Sequence, residues 1–312
     1  MANKNWAKVE AEFEQASALM KEKNYKEAVD KFNNAANQFL TMGNKGLEYA
    51  VYCYYHMAGM FRGNDTNSAL ICIEKAVEVF NVCEHFSNVH KASILDRYGE
   101  ILADAEKYKE AQGEYLKSIK IREKLSEKAP GEFDCAMAET YVKINVILAK
   151  IGDYKYSTAG FFIAKGLYQK AFKNGDKTAL AGVANCYDNL AIIYKLTGKY
   201  SDAKESAFTA LDKWEWLALN VNIDYKNRLA SAFNELIEIH KKAVSPLSEI
   251  EQSYLKLAEI YERLAEINPG YVCEDLAGCY RSLANLNPGI FKMKKAKEYK
   301  QMAEDVYKRF GQ

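Results

Sequence analysis

A short phrase recurs along this chain and constrains its fold more than any other feature. An aromatic residue is followed three places later by a small residue, then by two more core-type residues four and seven positions beyond that. Asn24-Tyr25-Lys26-Glu27-Ala28 runs on to Phe32 and Ala35, and Lys107-Tyr108-Lys109-Glu110-Ala111 runs on to Tyr115 and Ser118. Asp153-Tyr154-Lys155-Tyr156-Ser157 leads to Phe161 and Ala164, and Lys199-Tyr200-Ser201-Asp202-Ala203 leads to Ala207 and Ala210. Positions spaced by four and seven share one face of a helix. Small residues there let a neighbouring helix approach closely, and an aromatic between them fills the gap. A chain that repeats such a unit stacks copies of it, and builds a surface for partners before it builds a catalytic pocket.

Upstream of each phrase lies a second helical pattern. Leu95, Tyr98, Gly99 and Leu102 precede one copy, and Tyr187, Leu190, Ala191 and Tyr194 precede another. Short turns such as Ile151-Gly152-Asp153 and Thr197-Gly198-Lys199 join the two, with glycine suited to the left-handed conformation that ends a helix. The repeating unit is predicted to be a helical hairpin.

These residues resemble the tetratricopeptide repeat, which places large, large, small and large residues on its first helix and small, aromatic, small on its second. Ala69, Ile73 and Ala76 supply the second copy, and Ala296 with Ala303 the last, preceded by Tyr280, Leu283 and Ala284. A degenerate copy around 229–262 carries Ile250, Tyr254 and Leu257. The resemblance implies an all-α fold: a right-handed superhelical solenoid of about seven antiparallel hairpins, occupying 1–312 as one domain. The first helix, with Trp6 and Phe13, would cap the core or pair with a second copy.

Charge is balanced at 43 basic against 42 acidic residues, so nothing global favours nucleic acid. Four prolines, three of them in Ala129-Pro130-Gly131, Asn268-Pro269-Gly270 and Asn287-Pro288-Gly289 and one in Ser245-Pro246, read as inter-helix turns. The amino terminus lacks the apolar core of a signal peptide, and no run of about 18 uncharged apolar residues is present to span a membrane. The seven cysteines, Cys53, Cys72, Cys83, Cys135, Cys186, Cys273 and Cys279, are odd in number and scattered through helical patterns. They read as reduced core thiols, and the chain is expected in the cytoplasm.

Catalytic chemistry finds little support. Cys83-Glu84-His85 with His90 offers soft ligands but no second ligand pair, and residues five apart do not share a helix face. Gly43-Asn44-Lys45-Gly46 lacks the full phosphate-binding span and a preceding strand, so it reads as an inter-helix turn. His56 and His240 are isolated in helical segments. No metal, no cofactor and no enzymatic activity are expected.

Tyrosine is abundant, at 22 of 312 residues. The repeat assigns Tyr25, Tyr108, Tyr154 and Tyr200 to the core. In tetratricopeptide repeats the first helices line the concave face, which implies a partner surface of Tyr54, Tyr55, Arg62, Asp96, Arg97, Glu100, Lys143, Lys150, Asp188, Asn189, Lys195, Arg281 and Asn285. A complete carboxylate clamp for a chaperone terminus is missing, since Asp96, Glu100, Val142 and Val146 stand at its offsets. The resemblance thus implies a non-catalytic scaffold or adaptor binding a protein or peptide, with membrane association only through a partner.

The stretch from Ala36 to Phe80 also resembles soluble NSF attachment proteins, adaptors that couple a disassembly ATPase to SNARE bundles. The short polar turn Met20-Lys21-Glu22-Lys23-Asn24 and the ending Lys308-Arg309-Phe310-Gly311-Gln312 depart from that family's apolar loop and acidic tail. A peptide-sensing regulator is a third expectation of the repeat, although here the repeats begin almost at once.

Overall fold

The computed structural model describes residues 2–286 and 293–310. The expected turn at Asn287-Pro288-Gly289 and the last two residues, Gly311 and Gln312, lie outside them. Among the described residues fourteen α-helices and no strand are found. In order they are α1 (Ala2–Lys21), α2 (Tyr25–Phe39), α3 (Gly43–Phe61), α4 (Thr66–Val82), α5 (Asn88–Asp104), α6 (Tyr108–Ser126) and α7 (Asp134–Lys150). There follow α8 (Tyr154–Lys173), α9 (Ala179–Leu196), α10 (Tyr200–Asn220), α11 (Lys226–Lys242), α12 (Leu247–Ile267), α13 (Pro269–Asn285) and α14 (Met293–Phe310). They group into two compact units, Met1–Gly160 and Phe161–Gln312. In the first unit α1 pairs with α2, α3 with α4 and α5 with α6, and each pair packs on the next helix in sequence. In the second, α9 pairs with α10 and α13 with α14, with α11 and α12 between them.

The recurrent stripes are what these pairs bury. Ala28, Phe32, Ala35, Ala69, Ile73, Ala76, Ala111, Ser118, Ser157, Phe161, Ala164, Ala203 and Ala210 are fully inaccessible, and Tyr115 and Ala207 nearly so. Close approach is explicit at Gly99 of α5, where an added Cβ would lie 2.6 Å from the ring of Tyr115 on α6. The small residue of the first helix thus seats the aromatic of the second.

One turn geometry joins five of the hairpins. The amide five residues along bonds back into the last turn of the helix: Asn24 N to Leu19 O at 2.9 Å, Lys107 N to Leu102 O at 2.8 Å, Asp153 N to Leu148 O at 2.8 Å, Lys199 N to Tyr194 O at 2.8 Å and Ser245 N to His240 O at 3.0 Å. The residue just before each of those donors takes positive φ. Gly152 and Gly198 do so at 83° and 74°, as their sequence predicts, but Lys23, Glu106 and Val244 do so at 62°, 59° and 51° without glycine's freedom. The hairpin dictates the turn even where the residue type opposes it.

Several expectations need correction. Tyr25, Tyr108, Tyr154 and Tyr200 are not fully buried; each opens its second helix next to the turn, where Tyr25 is 43% exposed and the other three are partly covered, Tyr108 packing against the edge of the core. Tyr54 is the reverse, buried at 4% exposure, because it points from α3 into the hairpin core with Lys75 over its ring. The degenerate copy runs in a different register: Ser253, Leu257 and Ile260 form the buried stripe of α12, while Ile250 and Tyr254 are only partly covered. Gly43-Asn44-Lys45-Gly46 is the first turn of α3 and not a free loop, and the Asn44 side chain ties it to Glu84, accepting from its amide and donating to its carbonyl, both at 2.6 Å. Trp6 and Phe13 pack within their own unit, against Phe39 at 5.4 Å and Phe32 at 5.5 Å between ring centroids, with Tyr49 beside both.

Candidate interaction surface

Three successive first helices of the first unit meet around one carboxylate. Glu100 of α5 receives Arg62 Nη1 from α3 at 2.5 Å, Lys143 Nζ from α7 at 2.7 Å and Arg97 Nη1 from its own helix at 3.3 Å. Arg62 also donates through Nε to Asp104 at 2.6 Å. Four residues expected on the partner surface therefore form a single network with five charges, three positive and two negative. Their side chains are about a third exposed apart from Glu100, so the network faces water while its hub is mostly covered. Each pair in such a setting adds little stability, roughly 0–1 kcal/mol. What the network fixes is the position of its charges.

Beside it opens a cleft of about 440 Å³ lined by Met20, Tyr25, Tyr55, His56, Arg62 and Arg97 among others. The Arg97 guanidinium lies over Tyr55 at 5.6 Å, and His56 stacks on Phe32 at 5.4 Å. Burial, reinforced by the nearby charge of Arg97, pushes the His56 imidazole below its usual range and so favours its neutral form. The cleft thus offers aromatic faces and hydrogen-bonding tips next to cations whose charge is only partly balanced. Tyr25 and Asp104 were missed from sequence. Asp104 lies one helical turn beyond Glu100, a spacing that could have found it; Tyr25 gave no such signal.

Asp96, placed by its offset among the groove residues, is instead buried. Arg122 Nη2 of α6 pairs with it at 2.7 Å, and Thr140 of α7 donates to it at 3.1 Å, while Arg122 Nη1 donates to Ser118 Oγ at 2.6 Å. This knot joins three helices and presents nothing to a partner. Lys150 is exposed at the end of α7 and takes no part in the Glu100 network.

In the second unit the remaining candidates fall in three places. Asn189 donates back to the Asn185 carbonyl at 2.7 Å, and Lys195 pairs with Glu235 of α11 at 2.6 Å. Asp188, on the same helix as Asn189 and Lys195, accepts from Trp214 Nε1 at 2.9 Å, and Arg228 sits 5.0 Å over the Trp214 ring. Burial raises the Asp188 carboxyl to about 6 against the lowering effect of the indole and Arg228. Arg281 and Asn285 line a separate cleft with Lys300, Glu304 and Tyr307, where Arg281 is held by Glu274 and by Tyr307 at 3.0 Å.

Among the described residues no group of three His, Cys, Asp or Glu side chains converges as metal ligands, and no helix is long and apolar enough to cross a membrane. Cys83 instead directs its thiol toward the Asn44 carbonyl, at 3.6 Å.

No family model matches the sequence, and no curated protein matches it. Solved structures do. BtubC from P. vanneervenii superposes with a TM-score of 0.58 at 16% identity over 83% of this chain and 92% of its own. A signal transduction ATPase from Pyrococcus horikoshii that carries a tetratricopeptide repeat sensor gives 0.61 at 16% identity, over 97% of this chain but 43% of that protein. A putative kinesin light chain with TPR-like repeats, from Podospora anserina, gives 0.52 at 12% identity, over 68% and 95%. The chain therefore has a helical-repeat fold of the tetratricopeptide-repeat-like class. Likeness at this level of identity concerns the fold alone.

Proposed function

We propose that the chain is a non-catalytic interaction module whose first-helix face in the first unit holds a protein or peptide partner. The observation that supports this most is the convergence of Arg62, Arg97, Glu100 and Lys143 from three helices into one exposed network beside an aromatic cleft. Polar rims flanking aromatic anchors suit partner recognition, and a fixed charge pattern selects among partners more than it adds affinity. A partner side chain carrying a carboxylate would compete with Glu100 for Arg97 and Lys143 while its apolar part meets Tyr25 and Tyr55. The seven cysteines, five of them buried and scattered through the helices, fit a reducing compartment such as the cytoplasm.

The test is affinity capture from the source lysate with the parent chain and with a Tyr55→Ala/Arg97→Ala/Lys143→Ala variant, both shown to be folded by circular dichroism. A partner held by the parent and lost by the variant supports the assignment. Partners held equally by both would remove this face from consideration. Capture of a short peptide in place of a protein would make the chain a peptide sensor.

A further inference from the structure

A second cleft of about 520 Å³ lies away from the Glu100 network, between α4, α5 and α6 of the first unit. Its floor is apolar: Val77 and Phe80 from α4, Leu95 and Tyr98 from α5, and Ile121 from α6. Its rim is basic. Lys117, Lys120 and Lys124 stand along α6 at spacings of three and four, and Lys91 of α5 reaches over Phe80 at 5.7 Å from the ring centroid. Of the lining residues only Glu114 is acidic, and it is already engaged by Lys117 at 2.7 Å. Among the described residues Lys91, Lys120 and Lys124 form no ion pair.

That imbalance sets this cleft apart. Around His240 the lining cations are answered, Lys204 by Glu249 at 2.8 Å and Lys256 by Asp212 at 2.8 Å. In the Glu100 network three cations share two carboxylates. In the α4–α6 cleft, four lysines face one. Each unanswered ammonium stays hydrated on a flexible stem, and its stem extends the apolar floor outward. A ligand with an apolar core and negative flanks would complement both features.

We infer that this cleft is a docking site for an acidic amphipathic helix of a partner protein. The lysine row runs along α6 for about 10 Å, from seven residues at 1.5 Å each. A compact small molecule would leave much of it unmatched. A helix lying beside α6 places apolar side chains at spacings of three, four and seven into the floor, with glutamates or aspartates on either flank opposite the lysines. The site is independent of the first-helix face, because its lysines lie on a second helix and on the opening turn of α5. Both can be occupied at once.

The probe is a synthetic fluorescent peptide with leucines along one helical face and glutamates on both flanks, titrated with the full chain and followed by anisotropy. The controls are the same composition in scrambled order and a version with lysine for glutamate. The parent should bind the amphipathic acidic peptide saturably, more weakly as salt rises, and neither control. Lys91→Glu/Lys120→Glu/Lys124→Glu should weaken it by at least about tenfold, while charge reversal at the exposed Lys242 of α11, Lys242→Glu, leaves it unchanged. If the charge-reversed chain fails to fold, Lys120→Gln/Lys124→Gln replaces it with a smaller expected loss. Equal binding of the scrambled peptide, equal binding by the lysine variant, or no saturable binding by a folded parent would overturn the assignment. So would lysine-dependent sedimentation with phosphatidylserine vesicles in the absence of peptide binding, which would make the cleft a membrane contact.

Discussion

Asp96 and Asp188 occupy the same position in two copies of the repeat, three residues before the small residue of a first helix, yet they live differently. Each turns toward the residue four places beyond the last small residue of its partner helix. In the first unit that residue is Arg122, and Asp96 is held as half of a buried ion pair with Thr140 closing the shell. In the second it is Trp214, a single neutral donor, and the cation Arg228 stays 3.8 Å away over the indole. Asp188 is consequently under-compensated for its burial, and its carboxyl rises to about 6. One position in a repeat thus meets a cation or a single neutral donor according to one residue on the facing helix.

The largest expected effect tests the first half of that contrast. Arg122→Ala leaves Asp96 buried without its partner and should cost about 3–5 kcal/mol in urea unfolding at pH 7. Replacing both, as Asp96→Leu/Arg122→Leu, should recover most of the loss; failure to do so would mean the pair holds the three helices in register and does more than neutralise itself.

Asp188→Asn comes next and carries a sign that depends on pH. Asp188's folded midpoint near 6 stands above the roughly 3.9 of an unfolded aspartate, so between those values the folded chain holds a proton that the unfolded chain has released. Its stabilisation is complete below about pH 4 and is lost as pH rises through 6. The variant, neutral throughout and still able to accept from Trp214, should be more stable than the parent at pH 8 by on the order of 1–3 kcal/mol and indistinguishable at pH 4. A pH-independent difference would refute the titration.

Arg228→Ala should be smaller, within about 1 kcal/mol, because Arg228 is itself half exposed and both its contact with the Trp214 ring and its 3.8 Å pairing with Asp188 are weak. Its clearer readout is an upward move of the Asp188 midpoint in the stability profile. Smallest of all, Lys143→Ala should change stability by about 0–1 kcal/mol, since Glu100 keeps two arginines. The same change should weaken partner capture if the first-helix face is the working one.

The hairpins were legible because their requirement is periodic. Ala28, Phe32 and Ala35 announce a buried face by spacing alone, and every such stripe from α2 to α10 is buried. Of the groove candidates, Arg62, Arg97, Glu100 and Lys143 meet in one ion-pair network. Tyr54 does not join them, because neighbouring positions on a tightly packed helix differ by about 100° in direction, and adjacent tyrosines cannot share a role. The opening tyrosines of the second helices misled for another reason: a turn residue recurs as faithfully as a core residue, and repetition alone does not separate them.

Sequence by itself determined the class of fold, since small and aromatic residues at helical spacing have one economical packing and repeat it. It also determined where the hairpins turn, through Gly152 and Gly198. Tertiary structure alone decided that Lys23, Glu106 and Val244 adopt the same left-handed turn, because the packing of two helices outweighs a local preference of roughly 1–2 kcal/mol. It alone decided which charges are sealed, shared or left open, because that depends on partners from other helices, more than twenty residues away in sequence for Asp96 and Arg122, Asp188 and Trp214. Periodicity is a property of one helix, and electrostatic environment is a property of several.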